Sequence, residues 1–266
     1  VPEGHTLHRL AKLHRTRYAG APVRVSSPQG RFAAGAALVD GQVLTRAEAY
    51  GKHLLHHYES GLAVHVHLGL YGVFTELPVP MGEPTGQVRM RLVGAAGFGT
   101  DLRGPTACEV LNRAEVAALA DRLGPDPLRR GADPARALDR MRRSRRPIGA
   151  LLMDQKVVAG IGNIYRAELL FRHGVSPFRP GAELGAAEWA AMWADLVALM
   201  RVGVRVGMIV VIRPEDDHGA PAYGPDRPRT YVYRRQGEPC RICATPIRHA
   251  VLEARNLFWC PVCQPG

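Results

Sequence analysis

Several groups of residues in this chain have types and spacings that could do chemistry. The first is Val1-Pro2-Glu3. If position 1 is removed, Pro2 carries a free secondary amine. An α-amino group titrates at a pKa of about 8, so roughly a tenth of it is unprotonated and nucleophilic at neutrality. Such an amine attacks electrophilic carbon and forms an iminium, a Schiff base, and the neighbouring Glu3 carboxylate could move protons for it. A loose chain end would explain the dipeptide equally well. The second is Lys52, beside Gly51 at the start of an expected strand. Glycine lets a ligand approach the backbone, and a lysine ammonium is a point charge suited to phosphate. The third is Gly160-Ile161-Gly162-Asn163. A Gly-x-Gly turn opening a helix exposes backbone N–H groups to an anion with the helix dipole behind them, and Asn163 would add a side-chain donor. An ordinary tight turn between helices remains the other reading.

The strongest local signal is Cys240-x2-Cys243 followed by Cys260-x2-Cys263. Paired Cys-x2-Cys knuckles at this separation fit a four-thiolate structural zinc site that clamps a hairpin too small to bury its own core. Arg255, between the knuckles near the expected hairpin tip, is placed to enter a phosphate backbone or simply to be solvated. Cys108 stands apart and reads as a small buried filler rather than a nucleophile.

The composition agrees with a polyanionic partner. The 266 residues carry a net charge of +11 and a pI near 10.0, which points to nucleic acid before a membrane surface. The basic residues are nearly all arginine, and Lys12, Lys52 and Lys156 are the exceptions. Arginine cannot supply a compact ammonium that deprotonates, so each retained lysine is a candidate for a specific role. No apolar run approaches membrane-spanning length and no signal or lipidation motif is evident, so a soluble, cytoplasmic chain is expected.

The elements that must position these groups follow from periodicity. Leu7, Leu10, Ala11 and His14 fall at helical spacing over residues 4 to 18, which would fix the N-terminus in place. Residues 20 to 105 are β-rich. Leu62, Val64, Val66 and Leu68 alternate with Ala63, His65 and His67 as on a half-buried strand, and Val88, Met90 and Leu92 repeat the pattern. His65 and His67 share a strand face at a spacing also found in metal sites, but a polar face accounts for them. Residues 123 to 135 are rich in Pro, Gly and Asp and mark a boundary. Beyond it the pattern turns helical. Arg140 to Arg146 is either a solvated face or a DNA contact. A helix is expected from Asn163 to His173 with Gly174 as its C-cap, and another from Ala186 to Met200, whose Trp189 and Trp193 read as core. Residues 213 to 229 read as a mobile loop.

Taken in order, these pieces resemble the formamidopyrimidine-DNA glycosylase / endonuclease VIII family over nearly the whole chain. Pro2-Glu3-Gly4 looks like the family's mature N-terminus. Gly51-Lys52 with His65-x-His67-Leu68-Gly69 resembles its β-domain core, Gln155 to Tyr165 its helix-two-turn-helix signature, and Gly237 to Gln264 its zinc finger. The resemblance implies an α+β, multidomain fold: an N-terminal β-sandwich headed by a helix, then a helix-two-turn-helix domain carrying a β-hairpin zinc finger. The boundaries expected are 1–123, a linker at 124–135, 136–228 and 229–266. It implies a monomeric, nucleoid-associated base-excision-repair enzyme, a bifunctional DNA glycosylase/AP lyase with one structural Zn2+, acting on damaged double-stranded DNA. Pro2 would attack C1′ of the damaged nucleotide and form a Schiff base after Val1 is lost, with Glu3 as acid/base and β,δ-elimination cutting the strand. Lys52, Asn163 and Arg255 would grip the flanking phosphates, and Leu70, Tyr71, Arg103 and Lys156 complete the expected DNA contacts.

The departures from the family pattern bear on specificity. Thr6 stands where many members have a second glutamate. Asp101-Leu102-Arg103 is followed by Gly104-Pro105-Thr106, without the Arg-Phe-Gly wedge of oxidised-purine enzymes, whereas Leu70-Tyr71-Gly72 resembles the void-filling segment of endonuclease VIII. Residues 213 to 229, if they cap the damaged base, carry no legible pattern. Oxidised pyrimidines are therefore expected as substrates. The alternatives are a relative specific for oxidised purines, or a zinc-finger DNA-binding module without catalysis, for which Pro2, Glu3 and Lys52 would be unnecessary.

Overall fold

Two different periodicities build two compact units. The computed structural model describes residues 2–217 and 229–266, and the chain divides into Val1–Arg122 and Leu123–Gly266. Helix α1 (Gly4–Tyr18) opens the first unit, with the bounds its apolar spacing predicts. There follow β1 (Arg24–Ser26), α2 (Ala33–Val39), β2 (Leu44–Tyr50), β3 (His53–Tyr58), β4 (Ala63–His67), β5 (Val73–Pro78), β6 (Val88–Val93), β7 (Phe98–Arg103), β8 (Ala107–Leu111) and α3 (Arg113–Arg122). The strands form two four-stranded sheets, ordered β1-β6-β7-β5 and β2-β3-β4-β8, with every pairing antiparallel.

One core joins the two sheets as a sandwich. Leu44, Leu54, Val64 and Val66 of one sheet meet Val25, Met90, Leu92 and Leu102 of the other, and α1 adds Leu7, Ala11 and Tyr18. Strand β4 differs from expectation. Its residues Ala63 to Val66 are all buried rather than alternately exposed. The cause is its central place between β3 and β8, with a second apolar cluster of Leu55, Ala63 and Leu119 under α3 covering its other face.

In the second unit the helices are α4 (Pro134–Arg142), α5 (Ile148–Leu151), α6 (Asn163–Arg172) and α7 (Ala186–Val206). Asp133 caps α4 by accepting from the Ala135 N–H at 2.9 Å. Met141, Ile148, Leu151, Tyr165, Leu169, Met192 and Leu196 interlock in the main core. Trp189 is buried there with its indole N–H donating to the Pro134 carbonyl at 2.8 Å, as a core tryptophan requires. The Pro/Gly-rich stretch expected as a linker is not loose at its start: Leu123 to Pro127 are buried in this unit. Helix α7 outruns the expected Met200 and stops where Gly207 takes a left-handed φ of 79°. No described helix is long and apolar enough to cross a membrane.

Strands β9 (Arg248–Leu252) and β10 (Arg255–Trp259) form the terminal hairpin. It has a shared core with α6: Ala167 and Phe171 pack with Tyr231, Val232, Ile247, Phe258, Cys240 and Cys260. The buried Glu168 carboxylate accepts from the backbone N–H groups of Tyr231, Val232 and Tyr233 at 2.7, 3.0 and 2.8 Å. Helix α6 therefore organises both the glycine turn before it and the hairpin behind it.

Candidate catalytic terminus and nucleic-acid interface

Pro2 is half-buried one residue ahead of the helix N-cap. Glu3 is that N-cap, in extended backbone and fully buried, and its carbonyl accepts the first helical bond from the Thr6 N–H at 2.9 Å. As N-cap it stands at the positive end of the α1 dipole. Because Leu7, Ala11 and Tyr18 anchor α1 in the sandwich core, the terminus is held on a rigid element. His5, next in the helix, is pushed down to about 4 by burial first and neighbouring positive charge second, and its ring meets the Thr6 hydroxyl at 3.3 Å. Val1 lies outside the described residues.

Lys52 occupies the two-residue loop joining β2 to β3, where Tyr50 pairs with His53 and Gly51 takes a left-handed φ of 56°. Beside it runs a hydrogen-bonded row that sequence reading did not assemble. His53 Nδ1 meets His65 Nε2 at 2.8 Å, and His65 Nδ1 meets Glu109 at 2.9 Å. The His67 ring lies 5.0 Å from that of His53. Burial, then His65, pushes His53 down to about 3. His65 and Glu109 are far apart in the chain and meet because they stand opposite each other in the β4–β8 register. Those imidazoles are engaged with one another and with Glu109. Cys108 is half-buried against the sandwich core, and desolvation pushes its thiol pKa up to about 12, which disfavours the nucleophilic thiolate.

The turn between β4 and β5 projects Leu70 and Tyr71, which are 52% and 84% exposed. Gly69 has a φ of +66° and packs so closely on Thr106 that a Cβ would lie 1.9 Å from its hydroxyl, and the Gly72 N–H returns to the Leu68 carbonyl at 2.9 Å. Arg103, expected at DNA, donates to the buried Asp101 at 3.0 Å and to the Thr85 carbonyl, sharing that carboxylate with Arg91.

In the second unit Gln155 staples the glycine turn. Its Oε1 accepts from Gly160 N–H at 2.9 Å and its Nε2 donates to the Ile161 and Met153 carbonyls. Helix α5 ends at Leu151 and the turn follows it. Asn163 is the first residue of α6, after Gly162 as N-cap. Lys156 is exposed in the turn. Of the basic run, Arg146 forms a two-pronged ion pair with Glu253 at 2.7 and 3.0 Å and reaches Asp154 at 3.2 Å, while Arg142 donates to the Leu184 carbonyl. Arg146 thus holds the hairpin rather than presenting a free cation.

Arg255 opens β10, directly after a Glu253-Ala254 turn whose residues have φ of 47° and 60°, and it is exposed. Two positive φ values match a type I′ hairpin turn. At the base of the hairpin the sulfurs of Cys240, Cys243, Cys260 and Cys263 lie within 4.8 Å of one another, with contacts of 3.4, 3.5 and 3.8 Å. Zn–S bonds of about 2.3 Å in a tetrahedron require S···S edges of about 3.8 Å. The donor set fits one structural Zn2+, and the N–H groups of Ile242 and Cys263 donate to the Cys240 and Cys260 sulfurs.

Comparison with known proteins agrees with this arrangement. The formamidopyrimidine-DNA glycosylase N-terminal domain matches residues 1–108, the formamidopyrimidine-DNA glycosylase H2TH domain residues 123–213, and the zinc finger found in FPG and IleRS residues 237–266. Together they define the bifunctional DNA glycosylase/AP lyases of base-excision repair. Among relatives, Endonuclease 8 1 of Mycobacterium tuberculosis is 65% identical over 268 residues, covering 99% of this chain and 100% of that protein. Probable endonuclease 8 2 of Streptomyces coelicolor is 34% identical over 279 residues, covering 100% of this chain and 95% of that protein. The crystal structure of the MutM (Fpg) protein from Thermus thermophilus superposes with a TM-score of 0.78 at 29% identity, covering 99% and 98% of the two chains. The chain belongs to the formamidopyrimidine-DNA glycosylase family, in which endonuclease 8 is included.

Proposed function

We propose that this chain is an endonuclease 8-type monomeric enzyme that excises oxidised pyrimidines from duplex DNA and then cuts the strand. Pro2 is its nucleophile, in a form that has lost Val1. An acylated proline nitrogen has its lone pair delocalised into the amide and cannot attack. The free amine adds to C1′ of the damaged nucleotide as the glycosidic electron pair leaves with the base, which takes up a proton. Sugar ring opening leaves an iminium on C1′. Loss of a C2′ proton expels the 3′ phosphate, a second elimination expels the 5′ phosphate, and water hydrolyses the remaining iminium, freeing the Pro2 amine. Glu3, buried one residue from the amine, relays protons at the sugar. Lys52, Asn163 and Arg255 bind flanking phosphates, Lys156 adds a further phosphate contact, and Leu70 and Tyr71 fill the space the extruded nucleotide vacates.

The observation that carries this reading is the fixed Pro2-Glu3 terminus, held by a helix anchored in the core. The lesion class rests on Leu70-Tyr71 at an exposed turn, on the absence of phenylalanine after Arg103, and on the name of the 65% identical relative. Part of the residue 213–229 segment expected to cap the base lies outside the described residues. A set of duplexes with one thymine glycol, dihydrouracil or 8-oxoguanine each tests the reading. Faster excision of the two pyrimidines is expected. Preference for 8-oxoguanine would move the chain to the purine-specific class.

A further inference from the structure

The buried guanidinium of Arg166 sits where three elements of the second unit converge. Arg166 lies on α6, one turn after Asn163, and is 1% exposed. Its Nη1 donates to the Gly149 carbonyl of α5 at 3.2 Å. Its Nη2 donates to the Asn163 side-chain oxygen and, at 2.7 Å, to the Asn256 carbonyl of β10. A charged group this deeply buried must be matched by acceptors, and a guanidinium in a fixed fork also sets their positions.

The effect on Asn163 follows from chemistry. A guanidinium has only donors, so the carboxamide atom facing it is the oxygen. The carboxamide NH2 group of Asn163 is then turned away from Arg166, leaving two donors for another acceptor at the positive end of α6. The effect on the hairpin is equally direct. Asn256 follows Arg255, so fixing its carbonyl fixes the backbone from which Arg255 projects. One buried side chain constrains both ends of the surface.

We propose that Arg166 is the positioning residue that couples the Asn163 and Arg255 phosphate contacts, so that they bind DNA as one preorganised unit. The inference rests on the proposal that these two residues contact phosphates. A double-mutant cycle tests it, using a duplex with an uncleavable tetrahydrofuran abasic analogue and reading Kd against salt. In wild type, Asn163→Ala and Arg255→Ala should each weaken binding about tenfold, the loss expected for a hydrogen bond to a charged group. Arg166→Met should weaken it by a similar factor and lower the log–log salt slope by about one, although Arg166 touches no phosphate, with zinc content unchanged. In that background Asn163→Ala should add less than about twofold, the contact having already been lost.

A full tenfold penalty for Asn163→Ala in the Arg166→Met background would overturn the coupling and leave the phosphate contacts standing. Should Asn163→Ala and Arg255→Ala each bind like wild type, the contacts themselves fail and the coupling falls with them. If Arg166→Met loses zinc, Arg166→Lys replaces it. A lysine retains the charge and cannot bridge three carbonyls, so the same loss of additivity is expected, and full additivity there sinks the proposal.

Discussion

The two units differ in some of the ionisable groups they bury. In the β-sandwich unit the buried ionisable side chains include imidazoles held neutral. His14 and His56 are both buried and meet at 2.9 Å, with His14 edge-on to Phe74. Burial, then His57, pushes His56 down to about 4, and burial with His56 pushes His14 well below its ordinary value. In the helical unit, partly and fully buried ionisable groups are bound to one another or to the backbone. Arg172 grips Asp195 through two bonds of 2.7 Å, and Arg166 and Glu168 serve backbone groups. Burial opposes the charge on Asp195, but His173 and Arg172 outweigh it and hold its carboxyl well below the usual range. The helical unit holds these cations in fixed places, and the sandwich keeps this histidine pair uncharged.

The largest effect that would sharpen this contrast is loss of metal. Cys260→Ser should release zinc and melt the hairpin, because metal binding and folding are one free energy in such sites, worth about 10–16 kcal/mol. Duplex affinity should fall on the order of 100-fold or more. Hydrogen exchange should then show lost protection from Tyr231 to Phe258 and unchanged protection in β2, β3 and β4. Equal loss in the sandwich would erase the distinction between the units.

Acid should discriminate in the other direction. A histidine whose folded pKa is depressed binds fewer protons folded than unfolded, so its stabilisation is complete above about 6.5 and is lost as pH falls toward the depressed value. For His56 the window runs from 6.5 to about 4, and for His53 from 6.5 to about 3. His56 alone contributes on the order of 3 kcal/mol. Asp195 loses its contribution only below its ordinary value of 3.8. Hydrogen exchange between pH 7 and 4.5 should therefore show the sandwich loosening first. Replacing the pair as His14→Phe/His56→Leu should flatten that dependence.

Smaller effects follow at the hairpin. Arg255→Ala should weaken binding about tenfold on any lesion and lower the salt slope by about one, as loss of one phosphate contact requires. Arg146→Gln removes an ion pair that is half exposed, and exposed pairs contribute at most about 1 kcal/mol. It should weaken binding less than about fivefold and leave the salt slope unchanged. A slope change would mean that Arg146 meets phosphate directly, despite Glu253 and Asp154.

The same contrast governs what sequence could reveal. Helix α1 was legible because its apolar spacing is regular, and the thiolate cluster because its ligands are spaced in the chain as the ion needs them. Strand β4 was half-legible: alternation placed Val64 and Val66 on the core, but burial of its other face depends on α3, far along the chain. Arg166 and Glu168 were not legible, since polar residues within an amphipathic helix look like its solvent face. Their partners are backbone carbonyls and N–H groups, which no side-chain pattern records. The Glu109–His65–His53 row needed strand register, and Arg103 needed Asp101 and Thr85 to be placed around it.

Borohydride trapping on an abasic or thymine glycol duplex, with peptide mapping of the cross-link, tests the central claim most directly. Reduction makes a Schiff base permanent and leaves a non-covalent complex untouched. The N-terminal peptide should carry the DNA, attached at the Pro2 nitrogen in protein lacking Val1. A cross-link on the peptide containing Lys52, with none at the N-terminus, would make the lysine amine the nucleophile and contradict the account.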